Sequence, residues 1–473
     1  MFLAVSILPI ALGILAYIFN KHHKKFLIFS YIITFIILII SKEGSVVAGG
    51  WDYLKGIEFV FNGETRILLI SFFVFSVIMY LRIHKIYGYE FTLMWLILNG
   101  SINSFFMSRD FFNIYVHFEL ISMIIFLMMA IDKNSKRIWA SLKYMIMSAV
   151  ALDFYLIGIA FLYSKTGTLN ITASIEHEFP IFAATFLIIG LLIKSGVVFL
   201  SGWLPDAHGE AARGISPILS GVLVKMGLYV IYLISPGLNS LFLNFLFYFG
   251  LVSALIASFL TVIQNDLKKV LAYSTMTQMS YGIMLIAVRP EFFVFFIIYH
   301  MFSKGFIFAL AEDIYQKYGT KSLDELKGKV LSFGQYIFFA LLLINMSGIF
   351  PSSMFIFKKA MYSPIILDLN LIFFGIYFIK VMTTFKTNFK LQIKYIYIFI
   401  FVAASIFLNY YLVEIEFKII ILQYSLFILG TLLYSRQLKN KNLIFEIHKL
   451  DRSIIYQLTF ILFLMLMEIF IKI

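Results

Sequence analysis

Apolar stretches of about twenty residues recur from one end of this chain to the other, and that recurrence constrains its fold more than any single motif. A stretch of that length crosses the hydrocarbon core of a bilayer as a helix, because each backbone N–H and C=O must find its partner inside the segment. Read this way, the chain offers about sixteen segments, at 2–19, 26–41, 66–84, 90–107, 111–131, 137–163, 180–203, 216–234, 241–264, 269–288, 290–312, 330–363 (interrupted), 364–385, 392–413, 416–434 and 453–471. They are too long for barrel strands, which take about 9–11 residues. Hydrophobic residues make up 62% of the 473 and charged ones 13%, against about 45–50% and about 25% in soluble domains. The excess runs along the whole length, so the chain reads as all-α, a single polytopic membrane domain over 1–473. The segment at 2–19 has no basic residue ahead of it and no small-residue cleavage site, and is expected to be a retained helix rather than a signal peptide. The segment 42–65, with Gly49-Gly50-Trp51-Asp52, reads as a loop with partial interfacial structure.

The net charge of +13 sits in short loops. Loops after the first, third, fifth, ninth, eleventh, thirteenth and fifteenth segments carry Lys21, Lys24 and Lys25; Arg82 and Lys85; Lys133, Lys136 and Arg137; Lys268 and Lys269; Lys317, Lys321, Lys327 and Lys329; Lys386, Lys390 and Lys394; and Arg436, Lys439 and Lys441. The intervening loops are sparse in lysine and arginine and often acidic, as at Glu414 and Glu416. The positive-inside rule then places both termini outside the cytoplasm and accounts for the charge without nucleic acid. Ala311 to Lys329 reads as an amphipathic cytoplasmic connector, with Asp324 and Glu325 available for partner contacts. There are no cysteines, which excludes disulfides, thiolate metal sites and cysteine-ligated iron–sulfur clusters in this chain. The eight histidines form no HExxH-like pair, so no metal or cofactor is expected here and any redox centres would lie in other subunits.

Charged residues inside apolar segments are costly and mark functional positions. Glu119 lies near the middle of its segment, Lys194 about two turns before a Gly202–Pro205 break, and Lys225 half way along a segment with glycines nearby. Lys358 and Lys359 follow the break at Gly348 to Ser353; one of them is expected to face a cavity and the other to snorkel. His300 and Lys304 are four apart and share a helix face, as a proton relay would require. Lys143 and Asp153 also lie in one apolar segment but ten residues apart, too far to pair. Against these readings stands a structural one, in which such groups cap neighbouring helices or hydrogen-bond. Two broken helices, each bearing a lysine, are the mark of an internally repeated transporter.

At these residues the chain resembles a known family, the antiporter-like proton-translocating subunits of respiratory complex I, Mrp-type sodium/proton antiporters and membrane-bound energy-converting hydrogenases. The resemblance rests on Phe118-Glu119-Leu120, Leu142-Lys143-Tyr144, Lys194 followed by Trp203-Leu204-Pro205-Asp206-Ala207-His208-Gly209-Glu210-Ala211, and Leu219 to Lys225. It continues with Asp266 to Ser274, His300 to Lys304 and Gly348 to Lys358, over roughly residues 90–360. It implies about fourteen core helices with up to two more, arranged as inverted five-helix repeats, here 90–234 and 241–385, with C-terminal helices over 386–473. It also implies roles: Glu119 and Lys194 as a switching ion pair, Lys225 as central proton carrier, His300 and Lys304 as the connection to the exit, and Lys358 at the far half-channel. Lys143, Asp153, Asp206 and His208 are secondary candidates. The chain departs from the family where Ala212-Arg213-Gly214 stands in place of the usual prolines after Glu210-Ala211, and at Phe350-Pro351, Met354 and Phe357.

The function expected on this basis is proton or sodium translocation by a membrane subunit of a redox-driven complex, of membrane-bound hydrogenase or related complex I-like type, in the cell membrane. Its partners would be other antiporter-like and redox-arm subunits, the lipid bilayer, H⁺ and Na⁺. The alternatives are a subunit of an Mrp-type antiporter and a non-pumping scaffold paralogue.

Overall fold

The computed structural model describes residues 1–198, 201–361, 365–388, 398, 401–403 and 417–436. The chain divides into two compact units. The first comprises Met1–Lys194, Glu210–Ile215 and Tyr229–Phe242. Its helices are α1 (Ala4–Ile18), α2 (His23–Ile40), α3 (Gly63–Ile83), α4 (Tyr89–Met107), α5 (Phe111–Met129), α6 (Ser135–Thr166), the short α7 (Ile171–Ser174) and α8 (Ile181–Lys194). The long helices lie within a few residues of the apolar segments that predict them. Capping fixes their starts: Asn62 Oδ1 accepts from the Thr65 N–H at 2.9 Å, Asp110 Oδ1 from Asn113 at 2.7 Å and Asn134 Oδ1 from Lys136 at 3.0 Å.

The loop expected at 42–65 contains an antiparallel hairpin of β1 (Gly44–Ala48) and β2 (Ile57–Phe61), with Gly44 opposite Phe61 and Ala48 opposite Ile57. It is tied down by Phe61, whose ring stacks on Phe2 with centroids 5.4 Å apart. α6 and α8 approach closely through glycine. A Cβ at Gly190 would stand 2.4 Å from the Ala151 carbonyl oxygen, and one at Gly158 2.6 Å from the Leu187 nitrogen. Small residues let spans pack tightly where the lipid offers no hydrophobic drive for association.

The second unit comprises Ser195–Gly209, Ser216–Leu228 and Leu243–Ile473. It draws on α9 (Trp203–Glu210), α10 (Ile215–Ile218), α11 (Val224–Ile234) and α12 (Ser240–Ile263). It continues through α13 (Leu267–Val288), α14 (Phe293–Tyr318), α15 (Leu323–Leu326), α16 (Phe333–Asn345), α17 (Ser353–Ala360), α18 (Ile365–Met382) and α19 (Phe417–Arg436). β3 (Lys329–Ser332) and β4 (Phe385–Asn388) form a parallel pair. Asp266 caps α13, accepting from the N–H groups of Lys268 and Lys269, and Ser332 with Gln335 forms a capping box on α16. α14 packs against α13, α16 and the turn that precedes α11.

The second expected break is present, the twelfth segment splitting into α16 and α17, but the first comes about two turns early: α8 ends at Lys194 itself, and Pro205 lies inside α9, which begins at Trp203. The eighth segment is one continuous helical span, Ile215–Gly237, but it is not regular throughout. α10 passes through a wide turn at Leu219–Leu223, where the Val224 N–H bonds back five residues to the Leu219 oxygen, before α11 begins. The expected connector at 311–329 is α14 as far as Tyr318, and only then α15 and the start of β3. The segment 453–471 lies outside the described residues, as does 392–413 apart from 398 and 401–403; so do Lys390, Lys394, Lys439, Lys441, Glu414 and Glu416.

Among the described residues, seven helices are long and apolar enough to cross a bilayer, beside shorter apolar ones such as α1, α8 and α16. The protein is a polytopic, essentially all-α membrane protein, with two minor two-stranded sheets among the described residues.

Candidate functional site

In the first unit the site is built around Lys194, the last residue of α8 and 8% exposed. Its ammonium donates to Ser122 Oγ at 2.6 Å and to Ser148 Oγ. Ser148 gives its own proton to Ser122 Oγ at 2.9 Å, and Ser122 gives its proton to the Phe118 carbonyl at 2.6 Å. Both hydroxyl protons are thus committed elsewhere, so both oxygens turn lone pairs toward the ammonium. The rings of Phe118 and Tyr144 lie 5.2 and 5.9 Å from Nζ, near enough for cation–π attraction. Glu119 is half-buried and within electrostatic range of Lys194. No ion pair within 4.0 Å joins the two among the described residues. Lys143 is half-buried, and Asp153 is exposed on the outer face of α6.

In the second unit Lys225 is completely buried, and its ammonium donates to the Ser220 carbonyl. The wide turn makes this possible. Hydrogen bonds that reach back five residues disturb the helical ladder and leave a carbonyl for a side chain, a device common at functional sites. His300 and Lys304 are both completely buried on α14. Lys304 Nζ donates to Ser274 Oγ at 2.5 Å and to the Leu271 carbonyl at 3.1 Å. The His300 ring stacks on Phe296 with centroids 5.7 Å apart, and both Lys225 and Lys304 are within electrostatic range of it.

The second break shapes the place of Lys358, which is 1% exposed with Nζ 5.2 Å from the Tyr281 ring centroid. Asp368, also buried, is within electrostatic range. Gly348 has φ +82°, and a Cβ there would stand 2.5 Å from Lys358 Cδ and 2.9 Å from Nζ. One glycine therefore supplies both the left-handed turn and the clearance for the lysine. Carbonyls freed by the break are satisfied from other helices: the Tyr299 hydroxyl donates to Asn345 O and Gln278 Nε2 to Met346 O at 3.0 Å. Lys359 is half-buried.

The secondary candidates on α9 separate. Asp206 is half-buried and pairs with Lys269 at 3.0 Å. His208 is completely buried, with its ring stacked on Phe308 at a centroid distance of 4.4 Å. In the loop before α13, burial pushes the Asp266 carboxyl up from its usual range, with Lys321 at 3.7 Å pulling it back.

Two buried charged residues emerge that the sequence did not single out, one in an expected loop and one at the end of the segment 290–312. Lys268 and Glu312 are each 4% exposed, and Lys268 Nζ lies 3.9 Å from Glu312 Oε1. The spacing of His300, Lys304, Phe308 and Glu312, four residues at each step, was available in the sequence as a signal. Lys380, also buried, donates to the Val262 and Gln264 carbonyls at 2.9 and 2.5 Å, so it caps the end of α12. Among the described residues no group of three or more His, Cys, Asp or Glu is placed to hold a metal.

Residues 108–374 match the family described as NADH:quinone oxidoreductase/Mrp antiporter, TM. The chain belongs to this family. The matched region contains every buried lysine and histidine of the candidate site. The chain is 27% identical over 339 residues to NADH-quinone oxidoreductase subunit N of Desulforudis audaxviator, covering 66% of each protein, so it spans about two thirds of that relative's length. It is 26% identical over 410 residues to an Na(+)/H(+) antiporter subunit of Alkalihalophilus pseudofirmus, covering 77% of this chain and 80% of that one. Among solved structures, a chain of the membrane-bound sulfane sulfur reductase, an archaeal respiratory membrane complex, superposes with TM-score 0.77 at 19% identity. That match covers 91% of this chain and 98% of the other, and bears on the fold.

Proposed function

We propose that this antiporter-like chain translocates protons, or sodium, as the membrane subunit of a redox-driven complex of membrane-bound hydrogenase or related complex I-like type. The observation that carries the reading is the set of amines buried at membrane depth on short-range acceptors. Lys194 rests on two serine hydroxyls, Lys225 on a carbonyl released by the wide turn, and Lys304 on a serine and a carbonyl. An ammonium held by neutral acceptors can lose its proton without stranding a counter-charge, whereas one locked in an ion pair cannot.

In this reading the first unit switches by movement of Glu119 toward or away from Lys194. In the second, protons pass among Lys225, His300 and Lys304, and Lys358 serves the far half-channel. The two repeats would be 90–234 and 241–385, and the loop lysines would place both termini outside the cytoplasm. Redox centres would reside in partner subunits. A gradient-driven Mrp-type antiporter is the second reading, favoured by the similarity to the Alkalihalophilus pseudofirmus antiporter protein, which extends over 77% of this chain.

The experiment is Lys194→Ala in the assembled complex, followed by coupled ion transport in native vesicles. Loss of transport with intact assembly is expected; undiminished transport would make the chain a scaffold. Purification in mild detergent with nickel and iron assays separates the two drives: metal-containing partners indicate redox coupling, and only small metal-free membrane partners indicate a gradient.

A further inference from the structure

Along one side of α14, His300, Lys304, Phe308 and Glu312 follow one another at four-residue intervals, each completely buried or nearly so. Each step rises about 6 Å along the helix, so the stripe is about 18 Å long. Its only apolar member is Phe308, and it is on Phe308 that the His208 ring stacks, at 4.4 Å. An imidazole from α9 thus stands beside the gap in a row of titratable groups. Beyond the gap, Glu312 pairs with Lys268 at 3.9 Å. Lys268 Nζ also reaches Ser216 Oγ at 3.5 Å, and Ser216 Oγ donates to the His208 backbone carbonyl at 3.3 Å. Lys268 and Lys304 are both within electrostatic range of His208. One turn past Glu312 the helix becomes exposed, at Gln316 and Lys317, at the end that the lysine distribution directs toward the cytoplasm.

We propose that the Lys268–Glu312 pair is the proton-uptake gate of the second unit, with His208 as the carrier that spans the gap to Lys304. The proposal rests on the translocation reading and specifies its entry. A proton from the cytoplasmic side adds to the Glu312 carboxylate. With the charge of Glu312 neutralised, the Lys268 ammonium gives a proton to a ring nitrogen of His208. The proton on Glu312 then moves to the Lys268 amine and the ion pair re-forms. One proton enters and one is delivered, with no net change at the gate. Deep in the chain, an ion pair that served only for stability would be poorly chosen, because apolar residues of similar volume commonly do as well.

Two variants test this in the assembled complex in native membrane vesicles, with a pH-sensitive dye reporting translocation. Lys268→Arg keeps the positive charge and the pairing, but arginine does not give up its proton. Lys268→Met with Glu312→Leu removes both charges of the pair together, leaving neither opposite its lost partner. A structural pair tolerates both changes; a gate tolerates neither, and translocation is expected to fall at least tenfold in each while assembly is retained. Wild-type rates in Lys268→Arg, or loss of assembly in both variants, would overturn the proposal. Lys225→Met is measured alongside. If it too translocates normally, the translocation reading itself fails; if it is inactive while both gate variants are active, only the gate fails.

Discussion

The hydroxyl cradle of Lys194 makes a quantitative demand. A hydrogen bond to a charged group contributes about 1.5–3 kcal/mol, and about 1.4 kcal/mol is a factor of ten in an equilibrium. Ser148→Ala removes one acceptor and leaves Ser122 in place, still bonded to Phe118 O. Ser122→Ala removes the other acceptor and also the oxygen that receives the Ser148 proton, so Ser148 is left without an acceptor for its own proton and its oxygen is less polarised toward the ammonium. The charged state of Lys194 should therefore lose about 1.5–3 kcal/mol in Ser148→Ala and more in Ser122→Ala. The double variant should fall short of the sum, because the three groups form one network. Proton translocation by the assembled complex in vesicles is expected to slow about tenfold or more in Ser148→Ala, and further in Ser122→Ala. Ser148→Thr, which keeps the hydroxyl, should stay near wild type. Wild-type rates in Ser122→Ala would refute the idea that these hydroxyls hold the working charge.

Other consequences can be checked on the same preparations. Gly348 and Gly319 both have positive φ, at +82° and +70°, but a Cβ meets Lys358 at the first and nothing within 4 Å at the second. Alanine at either should cost about 1–2 kcal/mol of stability through backbone strain, while only Gly348→Ala should also slow translocation; thermal unfolding and vesicle assays read the two effects. Lys380→Met should lower stability by about 1–3 kcal/mol by stranding the Val262 and Gln264 carbonyls. Its translocation rate per assembled complex should remain that of the wild type.

The helices were legible because lipid imposes a single demand on sequence, length with apolarity. α1 to α6 and α12 to α14 begin and end within a few residues of the apolar segments, with α14 the exception at its C-terminal end. That exception explains what was lost. Lys268 is the second residue of α13 and Glu312 stands six residues before the end of α14, near helix ends where charge signals a loop to hydropathy, but neighbouring elements bury them. The wide turn at Leu219–Leu223 left no mark beyond Ser220-Gly221, because a five-residue hydrogen bond is a choice of backbone geometry rather than of composition. Lys194, Lys225, His300, Lys304 and Lys358 were found because a charge in an apolar run has so few bland explanations, and all five are buried. Their partners were not legible: serines and carbonyls carry no charge and are common in such helices. The same rule would have misled at Lys380, which is buried to cap a helix.

The central claim is that buried lysines carry the transported proton, and Lys225 tests it most directly because it is completely buried and bonded to a backbone carbonyl. The measurement is the rate of proton translocation in vesicles containing the assembled complex with Lys225→Met, normalised to the amount assembled. Loss of translocation with normal assembly is the predicted result. Translocation at the wild-type rate would contradict the account.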